Sequence, residues 1–226
     1  MSSRGFSSYK LNPLLVKNLA TLDYRNMTAI QEQSLPLILD GKDVIAQAAT
    51  GSGKTAAFAL GLLNRLDVKR FCAQSLVLCP TRELADQVAK EIRKLARLIH
   101  NIKVLTLCGG SPFGPQIGSL EHGAHIIVGT PGRIEEHLRK GTLVLGRLEM
   151  LVLDEADRML DMGFRSTLDA IIEQLPCSRQ TLLFSATYPD QIEEIAHKVM
   201  RRPERVKAPS IHDDNSIKQQ FYCVDG

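Results

Sequence analysis

Short apolar runs recur along the chain at residues 43–46, 75–79, 103–107, 125–128, 150–153, 181–185 and 205–207, separated by longer stretches with helical or turn character. Continuous apolar runs bounded by turn residues predict strands buried on both faces, and their alternation with helices predicts a parallel sheet. The clearest helix is predicted over 82–99, where Leu84, Val88, Ile92, Leu95 and Ile99 fall on one face and most charges on the other. Beyond Pro209 the rhythm gives way to the polar run Ser210-Ile211-His212-Asp213-Asp214-Asn215-Ser216, which reads as a linker before a new extended segment over 217–226. The fold class expected is therefore α/β, a mostly parallel sheet with helices on both faces. Residues 36–208 form its body, 1–35 pack on that body, and 209–226 lead into a second domain.

In an open parallel sheet, ligands sit beyond the carboxyl ends of the strands. Every motif in this chain follows a predicted strand. After Ala46 comes Ala48-Ala49-Thr50-Gly51-Ser52-Gly53-Lys54-Thr55, a phosphate-binding loop in which small residues let successive N–H groups converge on phosphate oxygens. Lys54 would neutralise the outer phosphates, and the Thr55 hydroxyl is placed to ligate magnesium. The loop departs from the general pattern at Ala48, where glycine is usual and a methyl group fits if φ stays negative. After Leu153 comes Asp154-Glu155-Ala156-Asp157, the acidic half of the same site, with Asp154 completing the metal position.

Composition narrows the classes further. With 226 residues, 44% hydrophobic and 23% charged, the chain can bury one large core. Its net charge of only +3 means that any polyanion site must be local. Five cysteines, odd in number and without a Cys-x-x-Cys pair, read as reduced thiols of a cytoplasmic protein, and no apolar run approaches membrane-spanning length. His122 and His125 lack any further ligand at zinc spacing and read as an ordinary loop pair.

Five segments in order, the phosphate loop, Pro80-Thr81-Arg82-Glu83-Leu84-Ala85, Thr130-Pro131-Gly132-Arg133, the acidic quartet and Ser185-Ala186-Thr187, resemble those of the DEAD-box RNA helicases. The resemblance covers essentially the whole chain as the first of that family's two RecA-like P-loop domains. Within the family, residues 108–114 and 178–188 look closest to a bacterial branch that acts on large-subunit ribosomal RNA. It implies ATP and Mg²⁺ as cofactors, with Lys54, Asp154 and Glu155 as the catalytic group: Asp154 would hold the metal largely through water, and Glu155 would polarise the attacking water. Asp157 would contact Ser185 and Thr187 and couple nucleotide state to RNA, although Ser-Ala-Thr alone reads rather as an ordinary strand-to-helix cap before a capping box at 190–193.

Base selection is expected upstream. Gln31 sits where the family's Q motif places a glutamine, and its amide matches the donor and acceptor of adenine; the same residue also reads as the third position of a Thr28-x-x-Gln31 capping box. Phe6 lies at the spacing of the family's adenine-stacking aromatic, and on its own reads as a core residue. Asp23 and Met27 stand where the family has glycine and proline.

For RNA, Thr81 and Thr130 read as N-caps, Arg82 and Pro131 as first helical residues, and two helix N-termini on one sheet edge could grip a phosphate backbone. Pro80, Gly132, Arg133, Gly109 and Gly110 complete that candidate surface, whose donors address sugar and phosphate rather than bases. Ribosomal RNA and a second RecA-like domain are the expected partners, with no DNA or membrane. A single domain without its partner's arginine fingers is expected to bind ATP and hydrolyse it barely above background. Two other classes share the loop: another P-loop ATPase or kinase, and a nucleotide-gated RNA-binding module without turnover.

Overall fold

The strands show why the sheet is covered twice. In the computed structural model, which describes residues 5–208, β1 (Val44–Gln47), β2 (Ser75–Leu78), β3 (Val104–Leu107), β4 (Ile126–Gly129), β5 (Met150–Asp154), β6 (Gln180–Ser185) and β7 (Glu204–Lys207) form one sheet. Its order is β3-β4-β2-β5-β6-β1-β7 and every pairing is parallel. Successive side chains on a strand point to opposite faces. Val44, Ala46, Val77, Val128, Val152, Leu182 and Phe184 thus join one apolar cluster, while Ile45, Leu76, Leu78, Ile127, Leu151, Leu153 and Leu183 join the other.

The first face is covered by α1 (Pro13–Thr21), α2 (Ala29–Leu39), α3 (Lys54–Arg65) and α4 (Arg82–Leu95). After α5 (Phe113–Glu121), α6 (Pro131–Arg139), α7 (Ala156–Asp161), α8 (Arg165–Glu173) and α9 (Asp190–Val199) supply the second. Helix α3 is the central one, buried from Ala56 to Leu63, with Phe58 packed on Phe184 at 5.4 Å between ring centroids.

The expected strands are all present with ends moved by a residue or so. The long helix is shorter than its periodicity suggested: α4 stops at Leu95, Ala96 caps it, and Ile99 closes a turn through its N–H to the Ala96 carbonyl at 2.7 Å. Ile99 still packs on the core, so its apolar character survives outside the helix. No capping box forms over 190–193; Pro189 is the N-cap of α9 and makes no side-chain cap. The linker, the segment over 217–226 and Cys223 lie outside the described residues.

Candidate functional site

Strand order brings the ends of β1 and β5 to either side of β6. The chain leaves β1 through Ala48, whose N–H still bonds the Ser185 carbonyl at 2.9 Å, then turns through Gly51 (φ 83°) and Gly53 (φ 91°) into α3. These two left-handed positions aim the first N–H groups of α3 at the loop's centre, where a helix N-terminus favours an anion. A side chain at Gly53 would be strained by the left-handed backbone and would crowd its neighbours, because a Cβ there would lie 2.6 Å from Gln31 Nε2 and 2.9 Å from Thr28 Oγ1.

Asp154 ends β5 fully buried, and Lys54 Nζ sits 2.9 Å from its Oδ1 and 3.4 Å from Glu155 Oε1. Lys54 is the side chain that meets Asp154 Oδ1, and Asp154 Oδ2 has no side-chain partner among the described residues. Burial pushes the Asp154 carboxyl up, and Lys54 opposes that shift. A buried carboxylate with unused lone pairs, beside a loop carrying the Thr55 hydroxyl, has the hard-oxygen chemistry that suits a divalent cation. These residues therefore fit magnesium. Ser52 Oγ is likewise buried without a partner.

Glu155 takes a left-handed backbone (φ 54°), uncommon for a non-glycine residue and a mark of a position fixed by its surroundings. Its carboxylate accepts from Thr50 Oγ1 at 2.9 Å and from Arg158 Nη1 at 3.3 Å. Burial alone would raise its pKa; Lys54, Thr50 and Arg158 together outweigh burial and hold it below the usual range. Two adjacent acids thus have opposite electrostatic settings.

Thr50, Gly51, Gly53, Lys54, Thr55 and Glu155 line one side of a cavity of about 540 Å³. Gln31, Thr28 and Tyr24 line another side, and Leu84, Gln87, Val88 and Glu91 of α4 a third. Its volume is in the range of small-ligand sites. Gln31 accepts the Thr28 N–H (2.9 Å) as in a capping box, and it donates from Nε2 to the Gly53 carbonyl (3.0 Å). The capping box thus forms, and the same buried side chain lines the cavity.

Phe6 is not on the cavity wall: it is buried in the core, edge-on to Tyr24 at 6.2 Å. The structure places Phe6 where its reading as a core residue puts it, since a ring with no polar atom gains most by full burial, whereas Tyr24 keeps its hydroxyl on Glu91 Oε1 at 2.6 Å. Burial, with Glu91, raises the Tyr24 pKa. Sequence reasoning missed Tyr24; the signal available was an aromatic with a polar tip next to Asp23. That aspartate adopts the left-handed conformation in which glycine is favoured (φ 59°). Met27 is buried.

Asp157, Ser185 and Thr187 do come together. Thr187 donates to Asp157 Oδ2 from its N–H (2.9 Å) and hydroxyl (2.8 Å), and the Asp157 N–H donates to Ser185 Oγ (3.3 Å). Neither Ser185 nor Thr187 caps α9.

The ends of β2, β3 and β4 form the other half of the edge. Thr81 caps α4, its hydroxyl accepting the Leu84 N–H at 3.3 Å. Thr130 precedes α6 without a side-chain cap; its hydroxyl instead takes the Gly109 N–H at 3.5 Å. Arg82, Gly110 and Gly132 are exposed here, whereas Pro80, Thr130 and Pro131 are buried. Arg133, expected on the RNA surface, has a side chain 11% exposed, paired with Glu136 at 3.1 Å, bonded to the Ser111 carbonyl at 3.0 Å and laid over the Phe113 ring at 5.3 Å. His122 and His125 serve separate contacts, to the Gly118 carbonyl and to Lys103 N and the Val68 carbonyl. No helix among the described residues is long and apolar enough to cross a membrane.

A parallel sheet with this loop and acidic strand end defines a RecA-like P-loop domain. The chain belongs to the DEAD/DEAH box helicases, whose family model matches residues 28–195. It is 58% identical, over 94% of its own length and 46% of the relative's, to the ATP-dependent RNA helicase DbpA of Escherichia coli (strain K12). It is 45% identical to the ATP-dependent RNA helicase CshA of Listeria monocytogenes, over 96% of this chain and 42% of that one. A solved DEAD box protein from the hyperthermophile Methanococcus jannaschii superposes with a TM-score of 0.87 at 39% identity, over 91% of this chain and 56% of that chain. The chain spans less than half the length of these curated relatives.

Proposed function

We propose that the chain is the ATP-binding RecA-like domain of an ATP-dependent RNA helicase that remodels ribosomal RNA in large-subunit assembly. The observation that carries the reading is the buried Lys54–Asp154 pair at the floor of the Gln31-lined cavity, where among the described residues no side chain other than Lys54 meets the Asp154 carboxylate. Adenine would lie against Gln31 and Tyr24, with Phe6 backing the tyrosine, and the phosphates would lie over residues 49–55. Lys54 would turn from Asp154 to the outer phosphates. Bound magnesium, held by Thr55 and Asp154, would neutralise phosphate charge. Glu155, ionised at neutral pH, would orient and deprotonate the attacking water.

Asp157, held by Ser185 and Thr187, would pass nucleotide state to the sheet edge. There the exposed Arg82, Gly110 and Gly132, with the N-termini of α4 and α6, would grip the RNA backbone. A second RecA-like domain would complete both sites, in keeping with the roughly doubled length of the relatives. The relatives' names as RNA helicases favour this over a kinase or a turnover-free module. The cytoplasm is the proposed location.

Nucleotide binding and ATPase assays, on this chain and on the full-length protein, test the reading. The 226-residue chain should bind adenine nucleotides and hydrolyse ATP barely above background, while the full-length protein should turn over only with RNA. RNA-independent turnover at the same rate, or stimulation by DNA alone, would contradict it.

A further inference from the structure

Beyond Leu107 the β3–β4 ladder ends, its last bond being Thr130 N–H to the Leu107 carbonyl at 3.1 Å. The loop that follows is fastened by side chains. Gln116 Nε2 donates to the Cys108 carbonyl at 3.1 Å, Thr130 Oγ1 takes the Gly109 N–H, and Arg133 Nη1 donates to the Ser111 carbonyl. Gly110, exposed at φ 74°, is left at the apex, where a Cβ would run into the Arg82 guanidinium.

Gln116 is itself held from behind. His137, fully buried on α6, bonds Gln116 Oε1 through Nε2 at 2.9 Å and Thr142 Oγ1 through Nδ1 at 2.8 Å. Because Gln116 must present its NH₂ to Cys108, its oxygen must accept, so His137 Nε2 carries a proton. In neutral imidazole Nδ1 then accepts from the Thr142 hydroxyl. Each group in the run Thr142, His137, Gln116, Cys108 can then donate to the next, with the His137 carbonyl at 3.2 Å as a second acceptor within reach of the Thr142 hydroxyl. Phe113 stacks on His137 at 4.2 Å and 18°, and the Arg133 and Lys140 cations lie over the same ring. One buried histidine thus underlies two of the loop's three tethers.

We infer that Gln116 and His137 are positioning residues that fix the Cys108–Ser111 loop in the conformation that receives the RNA backbone, an inference that rests on the RNA reading above. Neither side chain reaches the surface, so their effect on RNA would pass through the Cys108 carbonyl and the Phe113 ring. An apolar side chain at either position would leave a buried donor or acceptor unmatched, and the loop would relax to find water.

The test uses the full-length protein, with Gln116→Leu, His137→Leu and the conservative His137→Gln. Fluorescence anisotropy would follow a labelled single-stranded oligouridylate, and a fluorescent adenine nucleotide would report the other site. Both leucine variants should weaken RNA binding about tenfold, His137→Gln should retain it within about threefold, and nucleotide affinity should stay within about twofold. Amide exchange should accelerate about tenfold over 108–112 and remain unchanged over 49–55. A general loss of structure would instead move both regions and both ligands, and would overturn the assignment. So would folded leucine variants that bind RNA as the parent does, with unaltered loop exchange. A parent that binds nucleotide but no RNA would overturn the RNA reading and this inference with it.

Discussion

Gln31 Nε2 lies 3.0 Å from the carbonyl oxygen of Gly53, tying the residue proposed to select the base to the phosphate-loop glycine that caps α3. A primary amide has two N–H donors and an oxygen with two lone pairs. One donor goes to Gly53 and one lone pair to the Thr28 N–H, which leaves one of each for adenine. Base recognition and helix capping are therefore compatible in one side chain.

Gln31→Ala should lower stability by about 1 kcal/mol. It should also erase a preference for ATP over GTP of about 5- to 150-fold, equivalent to mispairing one amide at about 1–3 kcal/mol. Competition of ATP and GTP against a fluorescent nucleotide checks this. An unchanged preference would remove Gln31 from base selection.

Gly53→Ala should be severe. The left-handed backbone costs a non-glycine residue about 1–2 kcal/mol before its methyl group meets Gln31 and Thr28. The variant should lose both thermal stability and nucleotide affinity, as read by melting with and without ADP. Asp23→Gly is the contrasting case. It relieves a left-handed aspartate in an exposed loop and should raise stability by up to about 1 kcal/mol with nucleotide affinity unchanged. A fall in stability would show that the Asp23–Arg25 pair outweighs the backbone strain.

The phosphate loop and acidic quartet were legible because their chemistry is local, carried by contiguous residues at strand ends. Gln31 was legible as two alternatives, of which the capping box forms, with the same side chain on the cavity wall. Tyr24, Gln87 and Glu91 were not legible, because only the seating of α4 against the Q-motif loop brings them to one wall. The inward turn of Arg133 was hidden for a similar reason: its sequence neighbours mark a helix start, while Phe113 and Ser111, which draw it inward, come from α5 and its preceding loop. Ile99 kept the helical spacing after the helix had ended, since a turn can bury the same side chain.

Asp157 should titrate below the ordinary carboxylate range. Burial would raise it, but the Thr187 N–H and hydroxyl, with Ser185 and the Arg158 N–H, outweigh burial. A carboxyl with a lowered folded-state pKa stabilises the fold above its unfolded value, near pH 4, and loses that contribution as pH falls through the folded value. Thr187→Val removes one donor, so the Asp157 titration should move upward and acid unfolding should begin at higher pH. NMR titration of the carboxyl carbon reads the shift. No movement would detach Thr187 from Asp157.

Thiol chemistry should follow burial. Cys79 is pushed up by burial first, with Asp154 adding to it, and Cys108 is pushed up to about 11 by burial first, with Asp86 adding to it. Cys177 is exposed and Cys72 half-buried. At pH 8 an alkylating reagent should modify Cys177 and Cys72 first and spare Cys79 and Cys108 in the folded state, as peptide mass spectrometry would show. Equal rates at Cys79 and Cys177 would contradict the buried placement.

A crystal structure with a non-hydrolysable ATP analogue and magnesium tests the nucleotide site most directly. The account predicts phosphates over residues 49–55, Lys54 Nζ moved from Asp154 onto the outer phosphates, and a cation beside Thr55 and Asp154. An analogue bound elsewhere, with Lys54 still 2.9 Å from Asp154, would contradict it.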